Sequence, residues 1–126
     1  MKALLELVIA TNGVLFFFGA VQHVGVALGR FHEPRIIPAA IVETICGVAL
    51  AWAATALVRR GWSARRAALV ANLIALFGVV IGLVALAIGA GPRTVSNDLY
   101  HKIMLILIAA ALLLIWSTKR MGERQA

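Results

Sequence analysis

Four apolar segments, each nearly as long as a membrane is thick, are the feature that most limits what this chain can fold into. A helix needs roughly 20 apolar residues to cross a hydrocarbon core about 30 Å thick. Of the 126 residues, 63% are hydrophobic and 13% are charged, whereas soluble domains have about 45–50% apolar and about 25% charged residues. We therefore predict an integral membrane protein. The segments are Leu4–Leu28, Ile36–Val58, Ala67–Ile88 and Leu99–Ser117.

The connections between these segments are short. They read RFHEPR, RRGWSARR and AGPRTVSND, and connections of this length join antiparallel neighbours in helix bundles. Pro34 and Pro38 lie at the entry to the second segment and Pro92 at the exit from the third, as expected of helix boundaries. The sequence predicts an all-α, antiparallel four-helix transmembrane bundle that comprises residues 1–126 as a single domain.

The basic residues are divided unequally between the two ends of the predicted bundle. The termini and the middle connection hold eight Lys and Arg residues, and the other side holds four, Arg30, Arg35, Arg93 and Lys102. The positive-inside rule therefore places both termini in the cytoplasm. The net charge of +7 comes in short clusters without interleaved aromatic residues, which does not favour a nucleic-acid partner. The eight are Lys2, Arg59, Arg60, Arg65, Arg66, Lys119, Arg120 and Arg124.

Small residues recur at helical spacing on two segments. Such stripes let helix backbones approach each other closely inside a membrane. The stripe on the third segment is Ala71, Ala75, Gly78, Gly82, Ala85 and Gly89. The stripe on the second segment is Ala40, Glu43, Gly47, Ala51 and Ala54. Both stripes predict helix–helix contacts, and the second places Glu43 on a packing face, away from lipid.

A glutamate within a membrane-spanning segment needs a partner, because a charged carboxylate in hydrocarbon costs roughly 2.5–3.5 kcal/mol or more. With a rise of about 1.5 Å per residue, Glu43 lies about 10 Å and His23 about 8 Å below the outer boundary. His23 shares a helix face with Asn12, Phe16 and Gly19. We predict that Glu43 faces His23, and that the two are the catalytic candidates of the chain.

Other polar residues around this pair are candidates for ligand binding. Each also has a structural interpretation: Asp98 could cap the fourth helix with Ser96 and Asn97, and the buried amides could join helices by hydrogen bonds. His32 and Glu33 in the first connection are expected to be solvated. The ligand-binding candidates are His101, Gln22, Asp98, Asn12 and Asn72, the last two forming a deeper polar layer between the first and third helices.

No metal or other cofactor is predicted. His23, Glu43 and His101 have the ligand types of a 2-His-1-carboxylate centre, but no spacing motif unites them. No two histidines are placed to hold haem between them. The single cysteine, Cys46, allows no intramolecular disulfide and is interpreted as a packing residue.

Residues 19–52, GAVQHVGVALGRFHEPRIIPAAIVETICGVALAW, resemble the DoxX-like family of small four-helix membrane proteins. The shared pattern is Gly19 and His23 late in the first helix, prolines in the connection, then Glu43 and Gly47 in the second helix. This resemblance implies a four-helix bundle in the bacterial inner membrane. It also implies an association with quinone-linked thiosulfate oxidation or membrane oxidoreductase complexes, although this chain has no cysteine pair or cofactor motif.

Three functions agree with these features. The first is binding of a small amphipathic or lipophilic ligand, quinone-like or lipid-like, in a polar pocket of the outer leaflet. The second is an intramembrane enzyme, such as an isomerase, hydrolase or cyclase, that uses a Glu/His acid–base pair. The third is a structural subunit of a larger membrane oxidoreductase complex. The expected partners are the lipid bilayer, a small lipophilic ligand, and a second copy of the chain or a larger complex.

Overall fold

The computed structural model describes residues 1–27, 33–59 and 63–123. The described residues form four helices, α1 Lys2–His23, α2 Ile37–Val58, α3 Ala64–Ala87 and α4 Val95–Glu123. Each helix is long and apolar enough to cross a membrane. The predicted all-α four-helix bundle is therefore confirmed. Sequence predictions that concern Leu28, His32, Arg60 and Arg124 fall outside the described residues.

The helices form a closed ring in which each packs against its neighbours along the chain and α4 packs against α1. The direction of each helix follows from matched contacts. Near the middle of α1, a Cβ added to Gly13 would lie 3.5 Å from the Cβ of Leu50. At the end of α1, His23 contacts Glu43 near the start of α2. Residue numbers fall on α2 as they rise on α1, so the two helices are antiparallel.

The contacts between α1 and α4 show the same relation. The Tyr100 hydroxyl, in the second turn of α4, donates a hydrogen bond of 3.3 Å to the carbonyl of Leu15. Near the other end of the bundle, the Ser117 hydroxyl lies 3.4 Å from the sulfur of Met1. Because α4 is antiparallel to α1, its first turns lie beside the last turns of α1, where the predicted pair is located.

α1 ends at His23, five residues before the end that the apolar run predicted. The reason is Gly25, whose φ of 100° is a left-handed conformation that favours glycine. Its N–H donates to the carbonyl of Gln22 at 2.8 Å, and the next N–H reaches Val21 at 3.3 Å. This pattern is a Schellman motif, which terminates helices. Gly89, with φ 72°, terminates α3 in the same way.

α4 begins at Val95, four residues before the predicted start at Leu99. The Thr94 hydroxyl accepts a hydrogen bond of 3.0 Å from the N–H of Asn97. A side-chain oxygen that accepts from the third residue of a helix is an N-cap. Thr94 therefore caps α4, in place of the cap predicted at Ser96–Asp98, and Asp98 stands in the first turn.

The buried residues of the helices agree only in part with the faces that the sequence predicted to point inward. The α1 face predicted to point inward, Asn12, Phe16, Gly19 and His23, is buried throughout. On α2 the first three stripe residues are buried, but the buried face then continues through Leu50, Ala53 and Leu57. Ala51 is exposed and Ala54 is half-buried, and Gly89 on α3 is exposed. Burial follows contact with both flanking helices, so small size alone does not place a residue inside.

Candidate functional site

His23 and Glu43 form a buried hydrogen-bonded pair at the junction of α1 and α2. The His23 Nδ1 lies 2.8 Å from the Glu43 Oε2, and the two residues are 3% and 6% exposed. With the carboxylate ionised, the ring N–H donates this bond, which fixes the tautomer and the orientation of the imidazole. The predicted contact between these residues is present.

Local structure explains why the two side chains meet. The N–H of Ile36 donates a hydrogen bond of 2.9 Å to the carbonyl of His23, which ties the start of α2 to the end of α1. Pro38 lies in the first turn of α2, where its fixed φ suits a helix start. Helical side chains lean toward the N-terminus of their own helix. In an antiparallel pair, His23 therefore leans into the bundle and Glu43 leans back toward the junction.

Gly19 allows α4 to approach this pair. A Cβ added to Gly19 would lie 2.6 Å from the Tyr100 hydroxyl oxygen and 2.7 Å from the Glu43 Oε1. Both distances are shorter than real Cβ contacts, so only glycine leaves room for the two oxygens beside α1. Tyr100 was not predicted as a site residue. Its position next to His101 is a signal in the sequence, but that position alone does not favour it over Asp98.

A cavity of about 210 Å³ lies between α1 and α4, beside the pair. We call it the first cavity. It is lined by Phe18, Gly19, Gln22, His23, Glu33, Ser96, Asn97, Leu99, Tyr100 and Ile103. The expectation that Glu33 is solvated is wrong, because this residue is only 7% exposed. Its carboxylate accepts a hydrogen bond of 2.7 Å from the Thr94 hydroxyl, which joins the α1–α2 and α3–α4 connections at the cavity edge.

Three residues that line the first cavity carry a buried polar atom without a hydrogen-bond partner in the described part of the chain. These atoms are the His23 Nε2, the Gln22 Nε2 and the Asn97 Oδ1. An unsatisfied buried polar atom costs about 1–3 kcal/mol. An amide N–H₂ donates, and an amide oxygen and a neutral imidazole nitrogen accept. The set therefore fits an occupant that both donates and accepts hydrogen bonds.

His101 does not line the first cavity. Its Nδ1 donates a hydrogen bond of 2.8 Å to the carbonyl of Asn97, and its ring meets that of Tyr100 edge to face. The Nε2 contacts Gly82 of α3. Here His101 borders a second cavity, of about 260 Å³, which Glu43 also lines. The predicted site is thus divided between two cavities, since His23 lines the first and Glu43 and His101 line the second.

The structure does not bring Asp98 to either cavity. Its carboxylate forms ion pairs with Lys102, at 2.7 Å, and with Arg93, at 3.2 Å. Both basic side chains are more than 60% exposed, and exposed ion pairs contribute about 0–1 kcal/mol. Asp98 is therefore placed as a surface residue of the first turn of α4.

Asn12 and Asn72 are completely buried, but no hydrogen bond joins them. The Asn72 Nδ2 donates to the carbonyl of Ala68, in the preceding turn, at 2.8 Å. Its Oδ1 and both amide atoms of Asn12 have no partner within the described residues. Neither residue lines the first or second cavity. The deeper polar layer is thus present as two buried amides that do not bond to each other.

The described residues contain no group of three His, Cys, Asp or Glu side chains that could hold a metal ion. His23 lines the first cavity and His101 the second, so the members of the suggested 2-His-1-carboxylate set do not surround one space. Cys46 is buried, and its thiol makes a weak contact of 3.8 Å with the carbonyl of Ile74. Its surroundings agree with a packing role.

Comparisons of the chain with family models, with curated proteins and with solved structures gave no match. The resemblance to the DoxX-like family stays a prediction from the residues that carry it.

Proposed function

We propose that this is a multi-pass membrane protein that binds the polar end of a small amphipathic or lipophilic molecule in the first cavity. The observation that carries this proposal is the set of three unpartnered polar atoms, on His23, Gln22 and Asn97, around one cavity. Most of the remaining lining is apolar or aromatic. A mainly apolar pocket with a few convergent polar groups is typical of small-molecule sites.

The outer wall of the cavity supports entry from the bilayer. Leu99 and Ile103 line the cavity and are also 55% and 42% exposed on the surface of α4. In a membrane this surface contacts lipid, so a ligand could keep its apolar tail there while its polar end enters the cavity. Quinone-like molecules in their reduced, hydroxyl-bearing form and lipid-like molecules with a hydroxyl group have this shape and polarity. The Glu43–His23 pair would then hold the polar end in one orientation.

The same geometry supports a second function, acid–base catalysis on a bound lipophilic substrate. The Glu43 carboxylate orients the His23 ring and would stabilise an imidazolium, and the Nε2 has no partner beside the cavity. An oriented imidazole with a free nitrogen is the arrangement that general bases use. Isomerisation, hydrolysis and cyclisation each need such a proton transfer.

The cellular location is part of the proposal. The unequal distribution of Lys and Arg supports cytoplasmic termini. The positions of Gly19, His23, Glu43 and Gly47 support kinship with the DoxX-like family and hence a bacterial inner membrane. Membership of a larger membrane complex would leave the first cavity available, since a ligand could still reach it from any lipid-facing part of α4.

Mass spectrometry of co-purified molecules tests the proposal. The protein would be purified in detergent as wild type, Glu43→Gln and Glu6→Gln, and the solvent extracts compared. Glu6 is the matched control, because it pairs at 3.5 Å with Lys2 at the opposite end of α1. We expect a lipophilic species in the wild type and in Glu6→Gln that is lost from Glu43→Gln.

Equal recovery of every species from all three proteins would refute ligand binding at this site. If the protein is an enzyme, the wild type should convert the recovered species on incubation. His23→Gln should not convert the species that it retains. A double variant of Glu43 and His23 should then be little worse than either single variant, as expected for residues that act as a unit.

A further inference from the structure

The second cavity lies between α2 and α3 and is lined by Glu43, which does not line the first cavity. Its volume is about 260 Å³. Its lining is apolar apart from Glu43 and His101 and includes Pro38, Gly78, Ile81, Gly82 and Ala85. No described residue lines both cavities, so the ligand binding proposed above does not use this space.

The hydrogen bond to Asn97 determines what His101 presents to this cavity. A backbone carbonyl only accepts hydrogen bonds, so the His101 Nδ1 carries the proton in the 2.8 Å contact. In the neutral ring the Nε2 then carries a lone pair and is an acceptor. The Nε2 lies against Gly82, a lining residue. The ring is 8% exposed, so its orientation is set by the protein and not by solvent.

Two glycines one turn apart form part of the wall of this cavity. A Cβ on Gly82 would collide with the His101 ring, and a Cβ on Gly78 would lie 2.6 Å from the Cys46 sulfur. The sequence pattern GxxxG predicted a helix–helix contact on this face. Gly78 indeed faces α2 and Gly82 faces α4, but both also line the cavity. The missing side chains thus allow the His101 ring and the Cys46 sulfur to approach α3 closely at the wall of the cavity.

We propose that the second cavity is a separate binding site for a compact lipophilic hydroxyl compound, a phenol or an alcohol, whose O–H donates to the His101 Nε2. With the His101 Nδ1–H bonded to Asn97, the lining has no side-chain N–H left for a group that only accepts hydrogen bonds, and the nearby Glu43 carboxylate disfavours an anion. A cavity of about 150 Å³ is enough for benzene, so this volume holds a substituted ring.

The position of the cavity agrees with a ligand that partitions into lipid. Ile81 lines the cavity and is 42% exposed on the outer surface of α3. Pro38, in the first turn of α2, is also both lining and exposed. The compound would therefore enter sideways between α2 and α3, whereas the first cavity is reached along α4. The proposal does not depend on occupation of the first cavity.

Fluorine NMR with two ring probes tests this inference on the full chain in detergent. The probes are 4-fluorophenol and 4-fluorotoluene, which differ by a hydroxyl in place of a methyl group, and protein-free micelles give the baseline. One neutral hydrogen bond is worth about 0.5–1.5 kcal/mol, so we expect wild-type protein to bind the phenol roughly three- to tenfold more tightly. His101→Phe should abolish this preference while it keeps a ring of similar size.

Two further variants separate the cavities. Gln22→Leu changes the first cavity only and should keep the preference for the phenol. Ala85→Leu fills the second cavity, keeps His101 and should weaken the binding of both probes, which keeps the test decisive if His101→Phe does not fold. Equal binding of the two probes to the wild type would overturn the proposal. So would a preference that survives His101→Phe and disappears in Gln22→Leu.

Discussion

Replacing Gly19 with alanine would place one methyl group at the closest approach between α1, Glu43 and α4. The added Cβ would lie 2.6 Å from the Tyr100 hydroxyl oxygen and 2.7 Å from the Glu43 Oε1. Two groups on two different helices must therefore move. Glu43 is also held by its bond to His23, so its carboxylate cannot withdraw without loosening the buried pair.

The expected magnitude follows from two opposing effects. Alanine favours a helix interior over glycine by about 0.8–1.0 kcal/mol, whereas overpacking a well-filled interior typically costs about 1–3 kcal/mol. Gly13→Ala, on the same helix, isolates the first effect, because its Cβ would lie 3.5 Å from Leu50, an ordinary contact. We therefore expect Gly19→Ala to be less stable than Gly13→Ala by about 1–3 kcal/mol.

Equilibrium unfolding of the purified protein by sodium dodecyl sulfate in mixed micelles, followed by circular dichroism, measures this difference. The extract assay provides a second readout, since Gly19 lines the first cavity and the alanine variant should retain less of the co-purified species than Gly13→Ala. If Gly19→Ala is as stable as Gly13→Ala and retains the same species, Tyr100 and Glu43 do not converge at this point of α1.

Two other predictions concern the loops and the topology. Thr94→Val removes the cap of α4 and the hydrogen bond to the buried Glu33, so unfolding in dodecyl sulfate should show a loss of about 1–3 kcal/mol. Thr55→Val, at an exposed hydroxyl that bonds within its own helix, should change stability little, and equal losses in the two variants would argue against the Glu33 contact. With cytoplasmic termini, Gly91→Cys should react with a membrane-impermeant thiol reagent added outside the cell and Ser63→Cys should not. The reverse labelling pattern would show that both termini lie outside the cytoplasm.

The pairing of His23 with Glu43 was predictable because every part of the argument was local. The spacing of residues along each helix fixed the inward face, the rise per residue fixed the depth, and a short connection forced the two helices to be antiparallel neighbours. The predicted depth of His23 was wrong in one respect, since α1 ends at His23 itself and not five residues later. The contact is present nonetheless, because the Ile36 N–H donates a hydrogen bond to the His23 carbonyl at the end of α1.

The burial of Glu33 could not be predicted in the same way. A charged residue beside a proline in a connection is usually solvated, and its partner, Thr94, lies 61 positions away in the chain. The two meet because α4 closes the ring against α1 and brings the α1–α2 and α3–α4 connections together. Tyr100 and Asn97 enter the site through the same closure, so the pattern on α4 alone gave no reason to choose them over Asp98.

The sequence by itself determined the four helices, their antiparallel order and the need for a partner to Glu43. These properties follow from the length of the apolar segments, since a chain in lipid must satisfy its backbone hydrogen bonds within each helix. Only the tertiary structure decided that the polar residues divide into two cavities, with His23 facing one and His101 the other. That division depends on the rotation of each helix about its axis, which is set by how Gly19, Gly78 and Gly82 admit side chains from other helices. Such contacts join residues far apart in the chain and leave no local periodicity to read.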